Sequence, residues 1–188
     1  GVISFGNQDV KNIPTAQLMK HVAYVAQDNF LFDTSIRENL KIAKADATDE
    51  EILNALKAAN CLELIERLPE GLNSNAGDCG KFLSGGERQR ITLARAMLAD
   101  AQCIILDEAT AYADVENEAK IQEALSRLMK DKTLIVVAHR LNTIVGADQI
   151  MVLDHGTINS IGTHKELIQN SSVYQKLWQS YSGKEVVE

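Results

Sequence analysis

The amino-acid sequence predicts an α/β protein built on a parallel β-sheet. Two short, unbroken apolar segments, Cys103–Leu106 and Leu134–Ala138, are rich in β-branched residues, which is typical of strands buried on both faces of a sheet. The segment between them, residues 116–130, has apolar residues at helical spacing, namely Ile121, Ala124, Leu125 and Leu128. The order strand, helix, strand favours a parallel pair joined by a crossover helix.

Composition narrows the class of protein. The chain has 188 residues, 45% of them hydrophobic and 24% charged, which is ordinary for a globular protein. A net charge of -7 argues against a nucleic-acid partner, because phosphate backbones are bound by clustered Lys and Arg. Cys61, Cys79 and Cys103 are widely spaced, so neither a zinc knuckle nor a disulfide framework is indicated and a reducing compartment is expected. No apolar run approaches the roughly 18 residues of a membrane span, and the first residues lack a signal-peptide pattern.

The region before residue 97 has a more helical pattern. Thr48-Asp49-Glu50-Glu51 matches a capping box, and Ile52, Leu56 and Ala59 follow on one helix face. We therefore interpret residues 29–96 as a helical subdomain inserted in an α/β core formed by residues 1–28 and 97–188.

The last 40 residues or so predict a hairpin followed by helices. Segments Gln149–Leu153 and Thr157–Ile161 flank Asp154-His155-Gly156, a turn signal for antiparallel strands. The tail Lys165–Tyr181 indicates one or two helices. The apolar residues expected to face inward there are Leu167, Ile168, Val173, Leu177 and Trp178.

A serine and two glycines, Ser84-Gly85-Gly86, directly precede an amphipathic helical segment. The first turn of a helix has unpaired N–H groups and a positive dipole end, and glycines allow a phosphate to approach the backbone. The same residues are also common as a turn followed by an N-cap serine. Taken alone, this segment fits either interpretation.

Polar residues follow the apolar strands, where ligands of open α/β sheets bind. Asp107 and Glu108 end one strand, His139 ends the next, and Gln27 ends the segment VAYVAQ. In a phosphate site, two adjacent carboxylates can hold magnesium and polarise the attacking water. The alternatives are an N-cap with a solvated glutamate, a structural histidine and an incidental glutamine.

The motifs VAYVAQDNFLF, FLSGGERQR, CIILDEAT and VVAHRL stand in this order in the sequence. In order and spacing they resemble the Q-loop, the signature motif, the Walker B strand and the H-loop of an ABC-type ATPase, a P-loop NTPase with a RecA-like core. The segments LFDTSIRENL and ADQIMVLDHGTINSIGTHKELI are similar to nucleotide-binding domains of exporter-type transporters. The resemblance covers the whole chain.

The resemblance implies a role for each matching residue. Gln27 becomes the Q-loop glutamine near the metal, Asp107 the magnesium-associated aspartate, Glu108 the catalytic carboxylate and His139 the switch histidine. The signature residues contact the γ-phosphate of ATP held by the opposite subunit, and they are Leu83, Ser84, Gly85, Gly86 and Glu87. The D-loop reads Ala111-Tyr112-Ala113-Asp114, which departs from Ser-Ala-Leu-Asp and leaves only Asp114 matched.

The resemblance also implies cofactors, partners and a location. ATP and Mg²⁺ are the expected cofactors, and a second nucleotide-binding domain and a transmembrane domain are the expected partners, at the cytoplasmic face of the cell membrane. Residues 29–37 and 73–80 are expected to face the transmembrane domain.

No G-x-x-x-x-G-K-[ST] segment occurs in the sequence, although a P-loop of this form cradles the β- and γ-phosphates in the family. We therefore expect an N-terminally truncated domain without the A-loop and Walker A motif, and no ATP hydrolysis by this chain on its own. Two other classes stay open: a non-enzymatic interaction module, and a soluble ABC ATPase acting on DNA or ribosomes. The acidic charge balance and the lack of a long heptad insertion disfavour the second.

Overall fold

The computed structural model describes residues 1–107, 115–129, 131–138 and 141–185. They form two compact units, Gly1–Val137 and Ala138–Glu188. The strands are β1 (Ser4–Phe5), β2 (Gln8–Asp9), β3 (Val22–Val25), β4 (Cys103–Asp107), β5 (Thr133–Val137), β6 (Ile150–Asp154) and β7 (Thr157–Gly162). The α-helices are α1 (Thr15–Leu18), α2 (Ile36–Lys41), α3 (Asp49–Ala58), α4 (Leu62–Arg67), α5 (Gly85–Ala99), α6 (Val115–Leu128), α7 (His164–Asn170) and α8 (Ser172–Glu185). Short 3-10 turns lie at Val10–Asn12, Gly71–Asn73, Asp78–Gly80 and Leu141–Ile144.

The predicted α/β class and parallel sheet are confirmed. Strands β3, β4 and β5 form a three-stranded sheet in that order, with β4 in the centre and both pairs parallel. Helix α6 connects β4 to β5, as the strand-helix-strand pattern predicts, and its four predicted apolar residues are buried. The carboxyl ends of all three strands therefore lie at one edge of the sheet.

One face of the sheet is packed and the other is largely exposed. Ala23, Val25, Ile104 and Leu106 point toward α5 and α6 and join a common hydrophobic cluster. The expected burial on both faces holds only in part for β4, where Cys103 is buried but Ile105 is half-buried on the more exposed face, and it is wrong for β5, where Ile135 is 49% and Val137 48% exposed. The reason is positional: among the strands that the structure describes, β5 pairs only with β4 and so lies at the edge of the sheet.

A second hydrophobic cluster, the helical cluster, is formed mainly by helices α2 to α5 and the loops between them. Leu31, Ile36, Leu40, Ile52 and Leu56 are fully buried in it, together with residues of α4 and α5. Fully burying one such side chain contributes about 1.5–3 kcal/mol. Helix α3 begins with the predicted capping box: the Thr48 hydroxyl accepts from the Glu51 N–H, and the Glu51 carboxylate accepts from the Thr48 N–H. The predicted inward face of α3 is also confirmed, since Ala59 is buried beside Ile52 and Leu56.

Helix α5 belongs to both clusters. Ile91, Ala94 and Leu98 lie in the helical cluster, whereas Leu93 and Ala96 lie in the sheet cluster. Met97, which is partly buried, packs against both. The predicted subdivision into residues 29–96 and the remainder stays a prediction.

The second unit contains the predicted hairpin and helices. Strands β6 and β7 pair antiparallel, and the two turn residues His155 and Gly156 have φ angles of 46° and 76°, which suits a type I′ hairpin loop. Leu167 is buried and Ile168 and Val173 are partly buried, as predicted.

The expected inward orientation of Leu177 on α8 is wrong, because this side chain is 47% exposed. Tyr174, which lies one turn earlier, is instead fully buried, with its phenol 2.8 Å from Nδ1 of His164. Within the ranges given above, no helix combines the length and the apolar character that crossing a membrane requires.

Candidate functional site

The signature motif lies at the N-terminus of α5, a helix of 15 residues. Ser84 is the N-cap: its hydroxyl accepts from the N–H of Glu87 at 3.3 Å, and the Glu87 carboxylate accepts from the Ser84 N–H at 2.8 Å. The N-cap interpretation of this serine is therefore confirmed. It does not exclude phosphate contact, because a hydroxyl that accepts a hydrogen bond still has a proton to donate.

Glu87 places a carboxylate next to the exposed start of α5. Burial alone would raise its pKa, but hydrogen bonds from the Ser84 backbone and from Arg67 outweigh burial and leave the pKa lowered. Arg67 also forms an ion pair with Glu87. The negative charge at this helix end is therefore partly neutralised by an arginine from α4.

Two neighbouring residues fix the position of Ser84. Leu83 is buried in the helical cluster, whereas Ser84 is exposed. Arg88 folds back so that its Nη1 donates to the Leu83 carbonyl at 2.7 Å. The motif thus has a buried anchor on one side and a solvent-facing hydroxyl on the other.

Asp107 ends the central strand β4 and is half-buried. The phenol of Tyr24 on β3 donates to its Oδ2 at 2.8 Å. The pKa of Tyr24 is raised, chiefly by this hydrogen bond, so the phenol keeps its proton at neutral pH. The strand end therefore holds an oriented carboxylate, as the sequence predicts, together with a hydrogen-bond donor that no sequence motif predicts.

Gln27 is exposed in the turn after β3, the strand that pairs with β4. Its backbone is linked to α5 through a buried asparagine. Asn29 Nδ2 donates to the Gln27 carbonyl at 3.2 Å, and Thr92 on α5 donates to Asn29 Oδ1 at 2.9 Å. Asn29 adopts a left-handed conformation with φ of 43°, which asparagine tolerates better than most residues. The turn that carries Gln27 is thereby attached to the signature helix.

Three predicted site residues, Glu108, Asp114 and His139, lie outside the described residues. The structure places Gln27 and Asp107 at the carboxyl ends of adjacent parallel strands, and it places Ser84 at the start of a helix that packs on the same sheet. The roles assigned to these residues stay predictions.

The donor set at the strand ends suits magnesium bound mainly through phosphates. The described residues contain no group of three or more His, Cys, Asp or Glu side chains arranged to hold a metal ion. Mg²⁺ usually keeps several waters and takes only one or two protein carboxylates in addition to substrate phosphates. The carboxylate of Asp107 and the amide oxygen of Gln27 fit that mode of binding.

The two segments expected to face a transmembrane domain are adjacent in the fold. Ser35 and Asn75 form a β-bridge, flanked by backbone hydrogen bonds from Ile36 to Ser74 at 3.0 Å and from Ala76 to Thr34 at 2.9 Å. Two exposed rings, Phe30 and Phe32, stand edge to face beside them, with centroids 4.9 Å apart. We refer to Phe30, Phe32 and Asn75 as the aromatic surface.

A buried asparagine holds the loop that carries Phe32 on the helical cluster. Asn39, which is fully buried, accepts from the Phe32 N–H and donates to the carbonyls of Phe32, Thr34 and Ser35. The sequence signal for this role is an asparagine in the segment SIRENL, on the helix face that also carries apolar residues.

The fold and the strand-end residues define the class of protein first: an α/β domain of the P-loop NTPase type with a signature helix. Residues 1–111 match the sequence profile of the ABC transporter family, and the chain belongs to that family.

Similar proteins include an ATP-binding/permease protein and a lipid flippase, both much longer than this chain. The chain is 46% identical over 96% of its length to the mycobactin import ATP-binding/permease protein IrtA of Mycolicibacterium thermoresistibile, and covers 20% of that protein. It is 44% identical over 95% of its length to the ATP-dependent lipid A-core flippase of Desulfotalea psychrophila, and covers 31% of it. A solved bacterial Atm1-family ABC exporter with ATP bound superposes with a TM-score of 0.89 at 33% identity, over 96% of this chain and 32% of that one. The chain thus spans less than a third of the length of these relatives.

Proposed function

We propose that this chain is part of the ATP-hydrolysing domain of an exporter-type ABC transporter. The observation that carries the proposal is the exposed Ser84 at the start of α5, whose opposite end packs on the sheet that ends in Asp107. Family membership supports it, and relatives named for import and for lipid flipping match this chain in sequence. The proposal therefore concerns ATP hydrolysis and does not name the transported substrate.

The start of α5 is suited to contact a phosphate held by a second subunit. The first N–H groups of a helix have no partner within the helix, and here the Glu87 N–H is taken by the Ser84 hydroxyl. The amides of Gly85 and Gly86, which carry no side chain, and the Ser84 hydroxyl proton are the donors that a γ-phosphate would meet. ATP is thus proposed to bind between two such domains.

The strand ends supply the polar groups for hydrolysis. Mg²⁺ bound with ATP would neutralise phosphate charge in the transition state. Asp107 and Gln27 would hold the metal and its waters, Glu108 would activate the attacking water, and His139 would hydrogen-bond the γ-phosphate. Placing these groups correctly accounts for most of the catalysis of phosphoryl transfer.

The aromatic surface supports a proposed contact with a transmembrane domain. Exposed aromatic residues on a rigidly held loop are typical of protein interfaces. A transmembrane domain at this surface would place the chain on the cytoplasmic side of the cell membrane.

The test is hydrolysis by the complete transporter that contains this chain, purified and reconstituted in liposomes. Glu108→Gln keeps the shape of the side chain but removes the carboxylate, so it should preserve ATP binding and lower phosphate release at least a hundredfold, on the order of the contribution of general-base catalysis. Glu123→Gln on α6 is the matched control and should keep full turnover. Unchanged turnover in Glu108→Gln would assign the catalytic carboxylate elsewhere, and absent nucleotide binding in the unsubstituted protein would refute the proposed function.

A further inference from the structure

We propose that Tyr24 is a positioning residue for the magnesium-associated carboxylate, acting through its hydrogen bond to Asp107. The inference rests on the proposed function, because it assigns Asp107 to the metal. The family motifs assign no role to the tyrosine in VAYVAQ, so its hydroxyl is not part of the site as described above.

The register of the sheet explains why the two side chains meet. Tyr24 lies opposite Ile105 in the parallel pair of β3 and β4, and Asp107 follows Ile105 by two residues. Side chains two residues apart on a strand share a face, so the tyrosine and the aspartate lie on the same side of the sheet. The long phenol ring reaches along this face to the carboxylate, with 2.8 Å between the hydroxyl and Oδ2.

Packing alone does not explain the tyrosine. Its residue surface is 59% exposed, and its neighbours in β3, Ala23 and Val25, are the ones that enter the sheet cluster. Among the contacts of the described residues, this hydrogen bond engages Oδ2, and Oδ1 of Asp107 would accept from a metal-bound water. Fixing the carboxylate in one rotamer lowers the entropy lost when the metal and its waters bind.

The consequence is a specific effect on the Mg²⁺ concentration that nucleotide binding requires. Without the phenol hydroxyl, Asp107 has to be ordered at the moment of metal binding, so more Mg²⁺ is needed to support nucleotide binding. Binding that does not involve the metal is unaffected, because the tyrosine touches the carboxylate and makes no described contact with the signature helix.

The experiment compares the complete transporter with its Tyr24→Phe variant, which keeps the ring and removes the hydroxyl. Binding of a non-hydrolysable ATP analogue is titrated with Mg²⁺ and, separately, measured in EDTA. We expect the half-saturating Mg²⁺ concentration to rise about three- to tenfold, the range of one ordinary hydrogen bond, with binding in EDTA unchanged. Tyr174→Phe, which removes a different phenol, should leave the magnesium midpoint unchanged.

A double-mutant cycle with Asp107→Ala, which removes the acceptor, separates positioning from a general structural effect. Tyr24→Phe should have no further effect on the midpoint once Asp107 is substituted. An unchanged midpoint in Tyr24→Phe, or equal weakening with Mg²⁺ and in EDTA, would overturn the inference while leaving the proposed function intact. Absence of nucleotide binding in the unsubstituted protein, with Mg²⁺ and in EDTA alike, would instead overturn the proposed function and the inference together.

Discussion

Arg95 on the signature helix donates hydrogen bonds to both oxygens of Asn39, from Nε to the backbone carbonyl at 2.9 Å and from Nη2 to Oδ1 at 3.2 Å. The same guanidinium reaches the carbonyl of Phe30 at 3.3 Å. Since Asn39 holds the backbone of Phe32, the aromatic surface is joined to α5 through two side chains. Burial lowers the pKa of Arg95, yet an arginine keeps its charge at any physiological pH, so these are charge-assisted bonds.

Asn39→Ala should destabilise the protein strongly. The substitution leaves the Phe32 N–H and several carbonyls without their side-chain partner, and an unsatisfied buried polar group costs about 1–3 kcal/mol. We expect the free energy of unfolding of this chain to fall by about 3 kcal/mol in urea denaturation. The Phe32 amide should also lose protection in hydrogen exchange. The exposed Asn54→Ala on α3 serves as the control and should change little; equal stability of the two variants would contradict this account of Asn39.

The proposed contact between the aromatic surface and the transmembrane domain can be tested by cross-linking in the complete transporter. Single cysteines at Phe32 and at Asn75 should form disulfides or bismaleimide links with cysteines in the intracellular loops of the transmembrane domain, because both positions are exposed on the proposed contact surface. A cysteine at Leu53, also exposed but on α3, should not. If neither Phe32 nor Asn75 cross-links in any nucleotide state, the assignment of this surface is wrong.

Ser84 and Thr48 allow capping to be separated from phosphate contact. Each is the N-cap of a capping box, so each alanine substitution should cost about 1 kcal/mol of stability. Only Ser84→Ala should also weaken ATP-dependent association of the two nucleotide-binding domains, and Ser84→Arg should block it by filling the space for the phosphate. Association is measured by cross-linking or light scattering in the Glu108→Gln background. Equal association in Ser84→Arg and Thr48→Ala would exclude Ser84 from the interface.

Low pH should destabilise the protein because it protonates the glutamates of the capping boxes. Hydrogen bonds from Lys44 and Thr48 lower the pKa of Glu51, hydrogen bonds from Thr163 lower that of Glu166, and Glu87 is lowered in spite of its burial. A carboxylate whose pKa is lower in the folded state stabilises that state above its unfolded pKa of about 4.3, and the contribution is lost as the pH falls through the folded value.

The melting temperature should therefore fall as the pH is lowered from 5 to about 3. Glu51→Gln and Glu166→Gln preserve the capping geometry but do not titrate. A variant with both substitutions should lose less stability over the same interval. A variant as acid-sensitive as the unsubstituted chain would show that other carboxylates dominate.

Much of the fold follows from local pattern. The apolar segments at Cys103 and Leu134 and the capping boxes at Thr48 and Ser84 specify strands and helix starts through interactions within a few residues. Exposure of Ile135 on β5 was not predictable, because an unbroken apolar segment is typical of burial on both faces, and what covers each face depends on elements distant in the sequence.

In the candidate site, too, some features were predictable from local sequence pattern and others were not. Asp107 and Gln27 were predictable because polar residues that end apolar strands are a local signal. The contacts of Tyr24 with Asp107 and of Thr92 with Asn29 join residues 83 and 63 positions apart, so they depend on sheet register and helix packing. Local sequence patterns do not predict contacts between residues so far apart along the chain.

Helix α5 contributes side chains to the helical cluster and to the sheet cluster, with Met97 between them. Each cluster packs on a different face of this helix. If the helix unfolds, both clusters lose part of their packing, so neither can unfold without disturbing the other. Residues 1–137 are therefore expected to unfold as a single cooperative unit, with slow amide exchange at Ile91 and Leu93 reporting the same opening free energy.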